Sequence, residues 1–269
     1  MGTGNGEEGS CSAKLAYEAI APVYDAFTAH HDYELWLGNL LPELESHGLA
    51  GQRLLDVGCG TGKSFLPMLE RGWEVTACDL SPSMVEIAEK KVGAGARLAV
   101  ADMRKLPTFG EFNVVWSLDD AVNYLLSIEE LEQALEGMRR NLGPKGLLMF
   151  DLNTIESYRT FFAKEAALER AGIRMTWIGM ADPETDPGSV VEAVFSAEPV
   201  AGSRGPVIAP HTHRERHFPE AEVRTALARS GLDCLAVYGH HEDAVLHQPL
   251  DELVHTKAIY IARPSASSP

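Results

Sequence analysis

The sequence predicts an α/β protein built on an open, mostly parallel sheet, with an antiparallel β insertion late in the chain. Three observations lead to this class. Short apolar runs ending in polar turns alternate with segments of helical spacing, the repeated pattern of strand and crossover helix. The first of these runs, Leu54-Leu55, opens into a turn with three glycines, as a backbone does where it must bend sharply and lie close to a ligand. From about Ile173 to Phe218 β-branched and aromatic residues cluster between Asp182-Pro183, Asp186-Pro187-Gly188 and Gly202-Ser203-Arg204-Gly205-Pro206, which is turn chemistry.

The elements follow in order. Residues 1–12 are Gly-rich and polar and are expected to form a disordered tail. Leu15, Ala19, Ile20, Val23, Tyr24 and Phe27 keep helical spacing that Pro22 must interrupt, and Trp36, Leu37, Leu40, Leu41 and Leu44 do so after Asp32, with a kink or break expected at Pro42. The first strand ends at the glycine turn, and Lys63 to Glu70 reads as the helix behind it. Val75 to Ala77 form a second strand that closes at Asp79; Ser81 then stands as an N-cap with Pro82 at the first helical position. Arg97 to Val100 and Phe112 to Trp116 are the third and fourth strands. Ser127-Ile128-Glu129-Glu130 is a capping box before Ile128, Leu131, Leu135, Met138 and Leu142, which repeat at three and four. Leu147 to Phe150 give a fifth strand buried on both faces, closed by Asp151-Leu152-Asn153. Three antiparallel strands are expected in the insertion, whose last run puts His211, His213, Glu215 and His217 on one face and Thr212, Arg214 and Arg216 on the other. Either face can point inward. A helix over Pro219 to Ser230, a strand over Leu232 to Tyr238 and a final strand over Thr256 to Ala262 complete the chain, with Gly239 to His255 as a decorated loop. The expected organisation is a tail over 1–12, a helical cap over 13–48, a sheet core over 49–155 and 219–263, a lid over 156–218, and a tail over 264–269.

The glycine turn narrows the cofactor. A dinucleotide fingerprint needs glycine three positions after Gly60, where Lys63 stands; a phosphate-binding P-loop ending in Gly62-Lys63-Ser64 needs its first glycine where Val57 stands. What is left is acid-x-Gly-x-Gly-x-Gly over Asp56, Gly58, Cys59, Gly60, Thr61 and Gly62, and here the chain resembles the class I S-adenosylmethionine-dependent methyltransferases. The resemblance implies a Rossmann-like seven-stranded, mostly parallel sheet flanked by helices, its last strand antiparallel, and S-adenosyl-L-methionine as cofactor. It implies that Asp79 accepts the ribose hydroxyls, that a helix begins beneath the cofactor at Leu80 to Met84, and that Asp102 and Met103 meet the adenine. It further implies that Ser117, Leu118 and Asp119 open a turn facing the sulfonium, and that the cap, with Tyr17, Tyr24, His30, His31 and Tyr33, closes over the pocket. The pairing of Asn123-Tyr124 with Asp151-Leu152-Asn153-Thr154 looks like the small-molecule enzymes of this class, those that methylate amino sugars and natural-product intermediates.

Composition bounds the rest. Lys plus Arg total 23 against 39 Asp plus Glu, so 23 − 39 = −16 disfavours a polyanion, and no nucleic-acid partner is expected. No apolar run is long enough to cross a bilayer and the N-terminus is not a signal peptide, so no membrane partner and a cytoplasmic location are expected. Cys11, Cys59, Cys78 and Cys234 are too scattered for a zinc knuckle or a disulfide framework, and Cys59 reads as a small spacer in the loop. Methyl transfer asks the protein chiefly to hold a nucleophile in line and exclude water. Candidates around the methyl are Tyr24, Asp119, Asp120, Asn123 and Tyr124, with His213, Glu215 and Arg216 from the lid. A small-molecule acceptor is expected, an amine ahead of an alcohol, and an antiparallel insertion is compatible with a homodimer. No metal ligand is assigned. Two readings stand beside this one: an O-methyltransferase with magnesium held by Asp119 or Asp120 together with Asp151 and Asn153, and a cofactor-binding module without catalysis.

Overall fold

The computed structural model describes residues 5–241 and 244–266, with side chains from residue 13 onward. Its strands in chain order are β1 (Arg53–Val57), β2 (Glu74–Asp79), β3 (Arg97–Val100), β4 (Phe112–Ser117), β5 (Leu142–Asn153), β6 (Glu165–Arg170), β7 (Ile173–Gly179), β8 (Val190–Pro199), β9 (Ile208–Arg216), β10 (Leu232–His240), β11 (Leu246–His247) and β12 (Lys257–Pro264). The helices are α1 (Asn5–Ile20), α2 (Tyr24–Phe27), α3 (Tyr33–Ser46), α4 (Leu66–Glu70), α5 (Pro82–Val92), α6 (Ile128–Arg140), α7 (Ile155–Thr160) and α8 (Glu220–Arg229).

The large sheet runs β11-β10-β12-β5-β4-β1-β2-β3. Strands β1 to β5 pair in parallel, and β12 inserts antiparallel between β5 and β10. This is the expected seven-stranded architecture with one reversed strand, plus β11 as a two-residue antiparallel edge on β10. Alternation explains why both faces are covered. Leu54 points with Val75 and Val114 toward Leu37, Leu40, Leu44 and Phe65, while Leu55 and Val115 point to Leu131, Leu135, Met138 and Leu227 on the other side. Each such leucine, wholly removed from water, contributes roughly 1.5–3 kcal/mol.

Several expectations are corrected. Helix α1 begins at Asn5 and so enters the stretch expected to be tail, because a helix anchored by the buried Ala16 and Ile20 extends at little cost per added residue; residues 1–4 lie outside the described residues. The helix after the glycine turn starts at Leu66, not Lys63, since the turn itself occupies the intervening residues. Pro42 lies inside α3 without ending it, on its exposed side, where water can serve the carbonyl that loses its partner. Pro22 does break the cap, into a 3-10 turn over Ala21–Val23.

The antiparallel insertion, expected as a lid, has four strands rather than three, in the order β6-β7-β8-β9. The unforeseen β6, Glu-Ala-Ala-Leu-Glu-Arg, consists of good helix formers, yet it pairs with β7 from Glu165↔Ile178 to Arg170↔Ile173; cross-strand pairing overrides local propensity here. The inward face carries Met175, Trp177, Ala193 and Phe195 onto Ile20, Val23, Tyr158 and Phe162, which seats the lid against the cap.

Candidate functional site

The carboxyl ends of β1, β2, β3 and β4 open onto one cleft, as expected for an open parallel sheet at its switch point. It holds about 880 Å³ of empty space, part of it open to solvent, within the ~300–1,000 Å³ of small-molecule sites. Gly58, Gly60 and Gly62 have φ of 78°, 51° and 90°, which explains the three glycines. At Gly58 packing adds a second reason: a Cβ there would lie 2.8 Å from Cβ of Ala121.

Of the residues expected to bind cofactor, Tyr17, Tyr24, Gly58, Cys59, Gly60, Thr61, Asp79, Leu80, Asp102, Met103, Leu118 and Asp119 line the cleft. Asp56, Gly62, Met84 and Ser117 are not on its lining. Asp56 is fully buried behind the loop, where Oδ2 accepts the Ser64 hydroxyl; burial pushes its acid up to about 7 in spite of that bond and the Trp116 indole. Its role in this geometry is to tie β1 to the turn that follows.

Asp79 accepts the Gly60 amide on Oδ2 and the Ser81 amide on Oδ1, each at 2.8 Å. Burial raises its acid, against the amides that favour the charge. Two bonds leave lone pairs on both oxygens, so a diol still finds acceptors there. Asp102 is engaged more fully: Arg104 holds it at 2.6 Å while also pairing with Glu130 at 2.6 Å. Its acid falls below the ordinary carboxylate range, burial being outweighed by Arg104.

The turn after β4 gathers several charged groups. Asp119 and Asp120 both take left-handed backbone, φ 66° and 57°, uncommon for any residue but glycine. Their amides donate to Asp151 of β5, Asp119 N to Oδ1 at 2.6 Å and Asp120 N to Oδ2 at 3.1 Å. Lys257 Nζ donates to Oδ2 of the same carboxylate at 2.7 Å and lies 3.8 Å from Asp119 and 3.7 Å from Asp120. Asp119 Oδ2 also accepts from Tyr33 and His31, each at 3.0 Å. Burial works against its charge, but His31, Lys257 and Tyr33 outweigh burial and hold the acid far below its usual range. Asp120 goes the other way, up to about 6, through burial and its two acidic neighbours, with Lys257 opposing. Burial lowers His31 and Asp119 more than restores it, leaving the imidazole above its ordinary pKa.

The remaining candidates divide. Tyr24 and Tyr124 face the cleft; Asn123, His213 and Arg216 do not line it. Asn123 is buried and bridges Asn153 N to the Arg216 carbonyl. His213, pushed down to about 3 by burial and then by His211, is a neutral ring 2.8 Å from the Tyr124 hydroxyl. Arg216 pairs with Glu222 at 3.0 Å and lies over the Phe218 ring. Glu215 is buried, held by Asn153 at 3.0 Å and Tyr158 at 3.1 Å, and its acid is raised by burial and Asp120. The face of β9 that turns inward is thus the one with His213, Glu215 and His217.

Sequence reasoning missed Lys257, Arg104 and Lys63, whose Nζ donates to Thr28 Oγ1 at 3.0 Å beside the cleft. Lys257 carried one readable signal, as the lone charge at the start of the apolar run Ala258-Ile259-Tyr260-Ile261-Ala262. The proposed magnesium ligands do gather at this point, but the Lys257 ammonium stands among them. Among the described residues no helix is long and apolar enough to cross a membrane.

Residues 54–146 match the methyltransferase domain family. YqeM of Bacillus subtilis (strain 168), whose name gives it methyltransferase activity provisionally, is 29% identical over 223 residues, 81% of this chain and 86% of its own. The dTDP-3-amino-3,6-dideoxy-alpha-D-glucopyranose N,N-dimethyltransferase of Streptomyces fradiae is 24% identical over 216 residues, 79% of this chain and 83% of its own. An S-adenosylmethionine-dependent methyltransferase structure from Clostridium acetobutylicum ATCC 824 shares the fold, with a TM-score of 0.75 at 20% identity, over 93% of this chain and 100% of that one.

Proposed function

We propose that this chain, a class I S-adenosylmethionine-dependent methyltransferase, places the methyl group on an amine of a small molecule, an amino sugar or related natural-product intermediate. The observation that carries this reading is Asp119, an ionised carboxylate on the wall of the cleft beside Tyr24, Tyr33 and Tyr124. An ammonium acceptor is drawn to such a charge in a low-dielectric cleft, whereas a neutral alcohol gains no comparable ion pairing from it. The sugar N,N-dimethyltransferase likeness supports the same acceptor class.

Asp79 and the glycine turn fit the cofactor: a carboxylate with spare lone pairs lies opposite a loop where added side chains would clash with its packing. When bound, S-adenosylmethionine supplies an electrophilic methyl carbon on a sulfonium, open to in-line displacement. The acceptor nitrogen must give up a proton before its lone pair can form the new N–C bond as the S–C bond breaks. Asp119 holds the cationic nitrogen, and since an ionised carboxylate only accepts, the His31 ring behind it, off the cleft lining, donates through Nδ1 and leaves Nε2 free to take a proton relayed from the site. About a third of the His31 side chain is exposed, at 35%, which lets the proton leave to solvent. Tyr24, Tyr33 and Tyr124 stay neutral, their phenols raised foremost by burial, and serve as walls and hydrogen-bond donors.

The test is turnover of matched acceptors, an amino sugar nucleotide and its hydroxyl counterpart, with labelled S-adenosylmethionine. Label in the amine product alone is expected. Equal transfer to the hydroxyl compound overturns the amine assignment.

A further inference from the structure

We propose that Lys257 is a positioning residue for methyl transfer: an internal cation that, through Asp151, fixes the left-handed Asp119-Asp120 pair so that the Asp119 carboxylate faces the cleft. This rests on reading Asp119 as the acceptor-facing group. The geometry is unusual in every part. Two consecutive non-glycine residues hold positive φ, and both amides converge on one fully buried carboxylate, that of Asp151. Three aspartates in one place repel, and Lys257 Nζ reaches all three, at 2.7, 3.7 and 3.8 Å.

Topology puts the lysine there. Because β12 runs antiparallel to β5, with Lys257 opposite Asn153 and Ile259 opposite Asp151, the first residue of β12 lands at the edge where the parallel strands end. A reversed strand thus delivers a cation behind the turn whose Asp119 lines the cleft, against the carboxylates of Asp151, Asp119 and Asp120. The charged and titratable groups around it come from several elements: Asp119 and Asp120 from the turn, Asp151 from β5 and Glu215 from β9. His31 and Tyr33, from the start of the third helix and the loop before it, reach the same cluster through Asp119.

Without the ammonium the three carboxylates cannot all stay ionised, and the turn loses the anion that anchors its amides. Lys257→Met tests this on the full-length enzyme. Its acid limb of kcat/KM for the amine acceptor is expected to move up by about one pH unit, with kcat/KM at pH 7 falling up to about tenfold and recovering toward high pH. Affinity for S-adenosylhomocysteine stays within about threefold, since the ribose and adenine acids Asp79 and Asp102 keep their own partners, and Lys257→Arg keeps the acid limb near that of the parent. An unmoved acid limb in Lys257→Met, or a loss of S-adenosylhomocysteine binding in step with activity, overturns the proposal. Should Lys257→Met fail to melt cooperatively, Lys257→Gln takes its place with the same two outcomes. Asp119→Asn is run beside it: full activity there would sink the amine reading, whereas an inactive Asp119→Asn with an unaltered Lys257→Met would sink only the clamp.

Discussion

The amide of Gly60 donates to Oδ2 of Asp79 at 2.8 Å, so the glycine turn and the acid at the end of the next strand are one unit although 19 residues separate them. The second oxygen takes the Ser81 amide, which aims the carboxylate across the cleft, while the Ser81 hydroxyl accepts from Met84 N and caps the start of α5. Asp79→Ala removes the acceptors and leaves two largely buried amides unpaired, at about 1–3 kcal/mol each. Calorimetric affinity for S-adenosylhomocysteine is expected to drop about 100-fold or more. Parent affinity in this variant would mean the diol is held elsewhere.

Asp119→Asn keeps the shape of the side chain and removes its charge. Turnover of an amine acceptor should fall by about 10²–10³, the usual reach of a preorganised electrostatic contact, because the ammonium loses the charge that holds it and His31 loses the acceptor that orients it. Steady-state rates measure that fall.

His31 sets the pH dependence. Because Asp119 holds its pKa above the ordinary 6.5 in spite of burial, kcat/KM should climb with pH through an inflection above that value as Nε2 becomes free to accept a proton. In His31→Gln that inflection disappears. The sign for stability is opposite: the pair stabilises the fold fully below the unfolded imidazole pKa, and that contribution is lost as pH rises through the raised folded value.

Asp56 makes a separate stability prediction. Its folded acid sits near 7 against an unfolded 3.8, so the folded state binds more protons in that window and stability falls as pH climbs through it, by ~4 kcal/mol at most. Asp120, up to about 6, adds to the same slope. Asp56→Asn should flatten the fall in Tm between pH 5 and 8 without abolishing it. A slope identical to the parent would place the effect elsewhere.

Gly58→Ala should cost about 1–3 kcal/mol, from positive φ together with the 2.8 Å approach to Ala121. Adding Ala121→Gly relieves the approach but not the backbone strain. Urea midpoints of the single and double variants should therefore differ, with neither reaching the parent.

Much of the site was readable because its chemistry lies in strand-end turns, where a motif and its ligand-facing atoms are close in sequence. Asp79, Asp102 and Asp119 were legible for that reason, and all three line the cleft. Asp56 was misplaced by the same reasoning: the motif fixes its position in the chain, but not that its carboxylate turns back toward Ser64. Strand β6 was illegible because its composition favours a helix and only its partner β7 makes it a strand.

From its sequence alone this chain determined the order of the core strands, its glycine turn, and the cofactor class that turn accepts, since backbone torsion and apolar periodicity are local properties. Tertiary structure alone decided which face of β9 looks inward, and it alone brought Lys257 to Asp151 across 106 residues. No local preference specifies those relationships. They follow from the reversal of one strand and from the electrostatic need of three neighbouring carboxylates for a cation.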